Sequence, residues 1–395
     1  MNDTIPLEQA SAQKHEAQQA VQAHSGALIA LSQQLYEHPE PAWQEVESAH
    51  AVAAVLEDAG FSVERGYLGL PTAFRAVAGS GQFRVGLMAE YDALPGLGHA
   101  CGHNLISAMS AGAGLALAEV ADTAGLTVEV YGTPAEEGGG GKIDLLDRGA
   151  FAGLDLAMMA HPAPVDVAEA VPLAVAHWHI AYTGRTAHAA AYPTLAVNAA
   201  DAFTIAQVAL GLLRQQLPAS VRVHGIVTNA GTAPNAIPGS SEGRWYVRAA
   251  TLEQLEELAP RVMACFEAGA LATGCTLEIT PESKPYAEFR TDREALDAYV
   301  ANATALGRTF ASEGPSTTMA SASTDMGNVS QLVRAIHPYI GVDSYPVSNH
   351  QCEFADHCVG PVAERTLLDG ATALAWTALD VAATAQHRPD NAVRN

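Results

Sequence analysis

The chain has 395 residues, of which 49% are hydrophobic and 16% charged. This composition is typical of a globular protein with two domains, or of one large domain that carries an insertion. Lys and Arg number 20 against 43 Asp and Glu, which gives a formal net charge of −23. A surface this acidic repels phosphate backbones and anionic lipid headgroups, and so argues against nucleic acid and membrane-surface partners.

The sequence also indicates the cellular compartment of the protein. Residues 1–6 lack the basic start and apolar core of a signal peptide. No uninterrupted apolar run reaches the ~18 residues that a membrane span requires. Five cysteines, an odd number spread along the chain, do not form a disulfide framework. We therefore expect a cytoplasmic protein.

The first half of the chain alternates strands with helices. The first residues, polar and rich in Ala and Gln, predict a helix loosely attached to the rest, and amphipathic spacing predicts two more before the strands begin. The alternation that follows favours a mostly parallel sheet with right-handed crossovers. The three helices cover roughly residues 1–25, 28–38 and 45–59; the strands cover residues 73–77, 84–88, 127–131 and 156–159, and the helices between them residues 105–121 and 143–148.

The pattern changes over residues 175–284. Strands at 178–183, 223–228, 243–249 and 276–280, with helices at 195–217 and 252–272, give the order β-α-β-β-α-β, which is ferredoxin-like. The first pattern then resumes, with a helix over 295–307, a strand over 335–342 and a closing helix over 361–385. We therefore predict an α/β catalytic domain, residues 1–174 and 285–395, built on a mostly parallel mixed sheet flanked by helices and interrupted by an inserted α+β domain.

One loop concentrates chemical groups. The stretch EYDALPGLGHACGHN, residues 90–104, follows the predicted strand 84–88. In a parallel α/β sheet such a loop lies at the carboxyl end of a strand, where ligands bind. Cys101 and His103 flank Gly102, which allows a tight backbone bend, so thiolate and imidazole can converge on one cation.

Three later segments follow predicted strands in the same way. The loop GTPAEEGGGG, residues 132–141, holds the adjacent carboxylates Glu136 and Glu137. His161 follows the strand 156–159, and His350 follows the last strand. We therefore expect five side chains at one edge of the sheet: Cys101, His103, Glu137, His161 and His350.

This mixed set of sulfur, nitrogen and oxygen donors suits Zn²⁺ first, with Mn²⁺, Co²⁺ or Ni²⁺ as alternatives. Five ligands exceed what one tetrahedral ion with an open position needs, and they indicate two ions ~4 Å apart. Glu136 then remains as the general base for a reaction with water.

These segments, in this order around an inserted β-α-β-β-α-β domain, resemble the co-catalytic metallopeptidase family of aminoacylase, carboxypeptidase G and dipeptidases. Within it, they are most similar to the amidohydrolase branch, which includes hippurate hydrolase, p-aminobenzoyl-glutamate hydrolase and Xaa-basic dipeptidase relatives. The resemblance spans about residues 28–385. It implies a zinc-exopeptidase-like fold whose insert serves as a lid and dimerisation domain.

The resemblance also implies roles for residues. Cys101 would bridge the two ions, and Glu136 would act as the base. His188 would reach into the partner subunit's site of a homodimer and stabilise the oxyanion. Asn235 and Arg248 would hold the substrate carboxylate. Asp92 would orient an imidazole ligand.

The expected activity is hydrolysis of the amide bond of an N-acyl amino acid or dipeptide that carries a free carboxylate. Two alternatives stay open: an accessory or catalytically silent subunit of a heteromeric amidohydrolase, and a metal-dependent small-molecule binder. The filled ligand positions argue against the first, and the presence of Glu136 argues against the second.

Overall fold

In the computed structural model, which describes residues 7–386, the chain divides into two compact units. The larger unit contains the residues up to Val171 and those from Phe289 onward, and the insert contains Pro172–Glu288. The sequence pattern predicts the insert at 175–284. Residues 1–6, on which the signal-peptide expectation rests, lie outside the described part of the chain.

Eleven helices and twelve strands span the described residues. The helices are α1 (Leu7–Ala23), α2 (Ser25–Glu37), α3 (Val46–Asp58), α4 (His103–Ala124), α5 (Gly141–Asp147), α6 (Ala199–Leu213), α7 (Leu252–Thr273), α8 (Arg293–Ala305), α9 (Met326–Ser330), α10 (Cys352–Asp356) and α11 (Pro361–Gln386). The strands are β1 (Ser62–Arg65), β2 (Phe74–Gly79), β3 (Phe83–Glu90), β4 (Leu126–Thr133), β5 (Leu156–Met158), β6 (His161–Ala163), β7 (Ala174–Thr183), β8 (Arg222–Asn229), β9 (Ser240–Ala249), β10 (Thr276–Pro281), β11 (Ala335–Ile336) and β12 (Tyr339–Gly341).

The larger unit is built on a six-stranded sheet in the order β1-β2-β4-β3-β5-β11. Strands β4, β3, β5 and β11 run parallel, and β1 and β2 add an antiparallel edge. Most residues of β3 and β4 are buried, as expected for parallel strands covered by helices on both faces. The prediction of a mostly parallel sheet flanked by helices is confirmed.

Helix α4 forms the centre of the larger unit and packs against β3, β4, α1 and α11. By length and mean hydropathy it could span a membrane, and it is the one such helix in residues 7–386, although polar residues interrupt its apolar sequence. The helix meets this criterion because many alanines between its larger apolar residues keep its mean hydropathy high. However, 89% of its most apolar window is buried inside the protein, which identifies it as a core helix.

The prediction of a loosely attached N-terminal helix was wrong. In α1, Ala17 and Val21 are fully buried. The Trp376 indole donates a hydrogen bond to the Lys14 carbonyl at 2.7 Å, and the Lys14 Nζ lies 2.6 Å from Asp380 Oδ2. The few apolar positions of this helix therefore suffice to fix it against α4 and α11.

The predicted strand 335–342 is two short strands, β11 and β12. They are separated by His337 and Pro338, and their partners β5 and β6 are separated by Met159 and Ala160. Strand β11 pairs with β5, and β12 continues the same register against β6 in a separate two-stranded sheet. Because proline has no N–H, it interrupts a ladder of hydrogen bonds. His161 is therefore the first residue of β6 in this second sheet, and His350 follows β12 of the same sheet.

The insert has the predicted β-α-β-β-α-β order. Its four antiparallel strands stand in the order β10-β7-β9-β8, and α6 and α7 pack together against β7 and β9. Trp245 stacks on Phe203 and contacts Phe266 edge-on within a separate hydrophobic core.

Candidate metal centre and active site

A glycine turn brings Cys101 and His103 together beyond the end of β3. Gly102 has φ +81°, and a Cβ atom there would lie 2.8 Å from Pro162. Glycine therefore fits both the left-handed backbone and the close approach. Helix α4 begins at His103, two residues before the predicted start.

The hydrogen bonds of His103 set its tautomer. Nδ1 lies 3.1 Å from Asp92 Oδ1, and since a carboxylate only accepts, Nδ1 carries the proton. The lone pair of Nε2 therefore faces Glu90, Glu136 and Glu137, whose oxygens lie 3.6, 4.0 and 3.7 Å away. This is the arrangement in which a carboxylate orients an imidazole toward a metal ion.

The second loop carries Glu136 and Glu137 between constrained backbone positions. Ala135, just before them, has φ +56°, and its N–H donates to the buried Glu45 carboxylate at 2.8 Å. The Glu137 N–H donates to Asp92 Oδ2 at 2.9 Å. Asp92 thus contacts both the first metal loop and the second.

His161 and His350 complete the group. The His161 Nδ1 donates to the Pro162 carbonyl at 2.8 Å, which leaves Nε2 facing the Cys101 Sγ at 3.6 Å. The His350 Nε2 lies 3.3 Å from Glu137 Oε1. The backbone N–H of His350 donates to the Ala100 carbonyl at 2.8 Å. The His350 side chain is half exposed, so the site is open to solvent on this side.

Two groups of ligand atoms share one sulfur. Cys101, His103 and His161 form one set whose donor atoms lie within 4.8 Å of one another, and Cys101, Glu137 and His350 form another. Among the described residues, His103 Nε2 is one of the buried polar atoms without a hydrogen-bond partner. Buried polar atoms left in this way indicate an absent ligand, and the donor set fits two transition-metal ions.

The charges of the site favour cations. Burial opposes protonation of His103, but Asp92, Glu90 and Glu137 outweigh it and raise its pKa to about 10. Burial, followed by Glu137 and Glu136, raises the pKa of Cys101 well above that of a free thiol. A bound divalent ion would counter both effects, because it removes the proton from a coordinating thiol.

Glu136 has the environment of a group that exchanges protons. Burial, followed by the carboxylates of Glu90 and Glu137, raises its pKa well above that of a free carboxyl. Its side chain is 9% exposed. A raised pKa brings a carboxyl closer to the range in which it can both accept and return a proton near neutral pH.

The three predicted substrate-side residues lie in the insert. His188 and Asn235 are exposed on adjacent segments, since Ala189 N–H donates to the Asn235 carbonyl at 2.9 Å. The His188 Nδ1 accepts from Ala190 and Ala191 N–H groups. Arg248, on β9, is half-buried, and its Nε donates to His224 Nε2 at 3.3 Å.

The sequence analysis assigned no role to four buried groups beside the site: Glu90, Lys142, Asp325 and His337. Lys142 Nζ lies 2.6 Å from both Glu90 Oε1 and Asp325 Oδ1. Burial opposes its charge, but Asp325 and Glu90 outweigh burial and hold its pKa above the usual value. His337 lies next to His161, with ring centroids 5.5 Å apart.

One local signal could have identified His337. Its His-Pro pair repeats His161-Pro162 after a paired strand. For Lys142 and Asp325 the sequence offers no such signal, because the two residues are 183 positions apart.

The comparisons with known proteins agree with this geometry. A family model described as peptidase family M20/M25/M40 matches residues 86–375. A mouse (Mus musculus) Xaa-Arg dipeptidase is 41% identical over 93% of this chain and 88% of its own length. Its human (Homo sapiens) counterpart is 39% identical over 90% and 85%.

A more distant relative is one of the subunits of p-aminobenzoyl-glutamate hydrolase from Escherichia coli (strain K12). It is 33% identical over 66% of this chain and 58% of its own length. The resemblance inferred from the two metal loops is thereby confirmed.

Solved structures agree on the fold. A dinuclear metal binding peptidase of the M20 family from Bacillus subtilis aligns with a TM-score of 0.67 at 21% identity, covering 91% of this chain and 99% of its own. The aminobenzoyl-glutamate utilization protein from Klebsiella pneumoniae aligns with a TM-score of 0.72 at 18% identity, covering 91% and 97%.

Proposed function

Because the chain belongs to peptidase family M20/M25/M40, it is a hydrolase of amide bonds, and we propose that it cleaves dipeptides or N-acyl amino acids with a free carboxylate. We further propose that two divalent ions, zinc first and manganese or cobalt as alternatives, are its cofactors. The proposed ligands are Cys101, His103, Glu137, His161 and His350.

The observation that carries this proposal is the pair of ligand groups that share Cys101. The tautomers of His103 and His161 each turn a lone pair toward the shared sulfur or its neighbours. A solvated acidic loop would not bury Glu136 and Glu137 beside His103. Two alternatives, a metal-dependent small-molecule binder and a catalytically silent subunit, lose support. A binder does not need the base Glu136 beside the candidate ligands, and a silent subunit does not need the complete set of ligands and base in one site.

Two divalent ions at these ligands would polarise the scissile carbonyl and activate the attacking water. In the proposed reaction Glu136 accepts the proton of that water on a carboxylate oxygen. The water oxygen bonds to the carbonyl carbon, and the C–N bond then breaks. Glu136 returns the proton to the departing amine nitrogen, so that acid and amine products leave with the charges balanced.

For the insert we propose a role in a homodimer. His188 would stabilise the oxyanion in the partner subunit's site, where a preorganised donor acts on charge that develops in the transition state. Arg248 and Asn235 would hold the substrate carboxylate, Arg248 by a charge-assisted contact. The exposure of His188 and Asn235 on neighbouring segments supports a role toward a second chain or a substrate.

For the substrate, the names of the relatives suggest an order of testing. Proteins named Xaa-Arg dipeptidase match over most of this chain, and we propose dipeptides with a basic C-terminal residue as the first substrates. N-acyl amino acids and p-aminobenzoyl-glutamate follow. We also propose a cytoplasmic location, which the five free cysteines support.

The deciding experiment combines the metal content of the purified protein with an amine-release assay on these three substrate classes. We expect about two ions per chain and cleavage that a chelator abolishes and added metal restores. Two ions without cleavage would favour a missing partner chain or a binding function. One ion or none after reconstitution with Zn²⁺, Mn²⁺ or Co²⁺ would contradict the dinuclear site.

A further inference from the structure

Lys142 is a buried cation that the proposed reaction does not use. Its side chain has no exposed surface, and neither have those of its two partners, Glu90 and Asp325. Asp325 binds it twice, because Oδ2 also accepts from the Lys142 backbone N–H at 2.9 Å. The triad of Glu90, Lys142 and Asp325 is therefore held by ion pairs and also by a backbone hydrogen bond that fixes the position of Asp325 relative to Lys142.

The triad joins three segments that are far apart in the chain. Glu90 is the last residue of β3, Lys142 lies in the first turn of α5, and Asp325 precedes α9. Gly140 has φ +71°, and a Cβ on Gly141 would meet the Pro134 carbonyl. The glycine-rich loop that carries Glu136 and Glu137 therefore turns tightly into α5, where Lys142 contacts Glu90 and Asp325.

The triad also borders the reacting groups. Glu90 holds Lys142 through Oε1, while its Oε2 lies 3.6 Å from the metal-facing Nε2 of His103. Glu90, His103 and Glu136 offer ligand atoms that lie within 4.8 Å of one another. One carboxylate thus separates the Lys142 ammonium from both a candidate metal ligand and the candidate base.

Stability alone is a weak reason for such an arrangement. Removing three charges from water costs several kcal/mol per ion, and well-packed apolar residues commonly serve as well or better. The contact with Glu90, which lies beside His103 and Glu136, supplies a stronger reason, because a reacting group must be held to within about 0.5 Å by the residues that support it.

We propose that Lys142, clamped by Asp325, is a positioning residue that fixes Glu90 and the Glu136–Glu137 loop for the reaction of this enzyme. The expected effect on kcat rests on the proposed function. The expected effect on the surroundings of the candidate ligands His103 and Glu137 does not, because it can be measured without turnover.

The test compares Lys142→Met with Lys14→Met. Lys14 is the control, because it also pairs with an aspartate of the larger unit at 2.6 Å and is far in the sequence from every candidate ligand, although its side chain is 24% exposed. Both variants are measured for thermal unfolding, metal content, kcat and KM. We expect K142M to retain both ions and to lose about tenfold or more in kcat with KM changed less than about twofold, and K14M to keep wild-type kinetics.

A second readout needs no substrate. In the Co²⁺-loaded protein, visible absorption reports the geometry around the metal and its thiolate. We expect the spectrum of K142M to differ from that of the wild type, and that of K14M not to differ. If K142M does not fold, Asp325→Asn, which keeps the Lys142–Glu90 pair, should show the same two changes to a smaller degree.

Several outcomes would overturn the proposal. K142M with lower thermal stability but unchanged kcat and an unchanged Co²⁺ spectrum would reduce Lys142 to a structural residue. A double variant K142M/D325N that loses the product of the two single losses would show that the residues act independently. If the wild type cleaves nothing, the proposed function fails, while the Co²⁺ spectra still decide whether Lys142 positions the ligands.

Discussion

Asp92 contacts His103 and the base loop with its two carboxylate oxygens. Oδ1 accepts from the His103 ring at 3.1 Å, and Oδ2 accepts from the Glu137 N–H at 2.9 Å. One fully buried side chain therefore joins two candidate ligands, a nitrogen and an oxygen donor, that come from different loops.

Replacing Asp92 should weaken metal binding without unfolding the protein. We expect Asp92→Ala to lower the affinity for the first divalent ion about 10- to 100-fold, as the loss of such supporting carboxylates does elsewhere, with a smaller effect in Asp92→Asn. Competition with a chromogenic chelator measures the affinity. Wild-type affinity in the alanine variant would show that the His103 orientation does not depend on this contact.

Glu136→Gln separates the base from the ligands. Because Glu136 is the residue assigned to proton transfer, the variant should keep about two ions while kcat falls by about 10²- to 10⁴-fold. Metal analysis of the sample gives the number of bound ions, and amine release from the same sample gives kcat. Turnover equal to the wild type would remove Glu136 from the mechanism.

Cys101→Ala tests the shared sulfur. Since Cys101 belongs to both ligand groups, we expect the metal content after dialysis against trace Zn²⁺ to fall from about two ions to at most one. Cys265→Ala, which changes a buried cysteine in the core of the insert, is the control and should retain both ions. An unchanged stoichiometry in C101A would exclude the bridge.

His188→Ala tests the sharing of sites between subunits. Each variant alone, H188A or E136Q, should be nearly inactive. Mixing them by reversible unfolding should restore about a quarter of wild-type activity, because half of the dimers are mixed and each of these has one intact site. Mixed dimers, confirmed by mass spectrometry, that stay inactive would place His188 and Glu136 in the same subunit's site or outside the reaction.

Glu129 provides a pH-dependent test of the fold, away from the candidate ligands. It accepts from Arg75 Nε at 2.6 Å, Arg84 Nε at 2.9 Å and Tyr131 Oη at 2.6 Å. Burial alone would raise its pKa, but these hydrogen bonds outweigh burial and lower it. Its contribution is therefore fully present above the pKa of the unfolded chain and is lost as the pH falls through the lower folded pKa.

We expect Glu129→Gln to reduce the free energy of unfolding by about 1.5–3 kcal/mol at pH 7. The difference from the wild type should shrink below about pH 4, where this carboxylate begins to protonate in the unfolded chain while it is still charged in the folded protein. Urea unfolding at several pH values measures it. A difference that does not vary between pH 7 and pH 3 would contradict the charged role of Glu129.

Most features of the fold and of the candidate site that could be predicted came from local sequence patterns, that is, from residues close together in the chain. Apolar runs such as β3 and β4 reveal a buried parallel sheet, and polar groups directly after a strand, such as Glu136 and Glu137, reveal its functional edge. The weak apolar pattern of α1 did not reveal its packing, because Ala17 and Val21 are buried by residues of distant helices.

The Lys142–Asp325 pair could not be predicted for a related reason. A buried ion pair has no periodicity, and each partner taken alone resembles a solvated loop residue. The break between β11 and β12 was different, since Pro338 was visible in the sequence and the apolar residues around it led to a single predicted strand instead.

The insertion divides the candidate metal site unequally along the chain. Cys101, His103, Glu137 and His161 precede the insert, whereas Asp325 and His350 follow it. A nascent chain that ends within the insert therefore holds four of the five candidate ligands but lacks α11, which covers α4. During biosynthesis, the complete candidate site can form only after the residues beyond the insert have been made, so the proposed loading with two ions would follow the synthesis of His350.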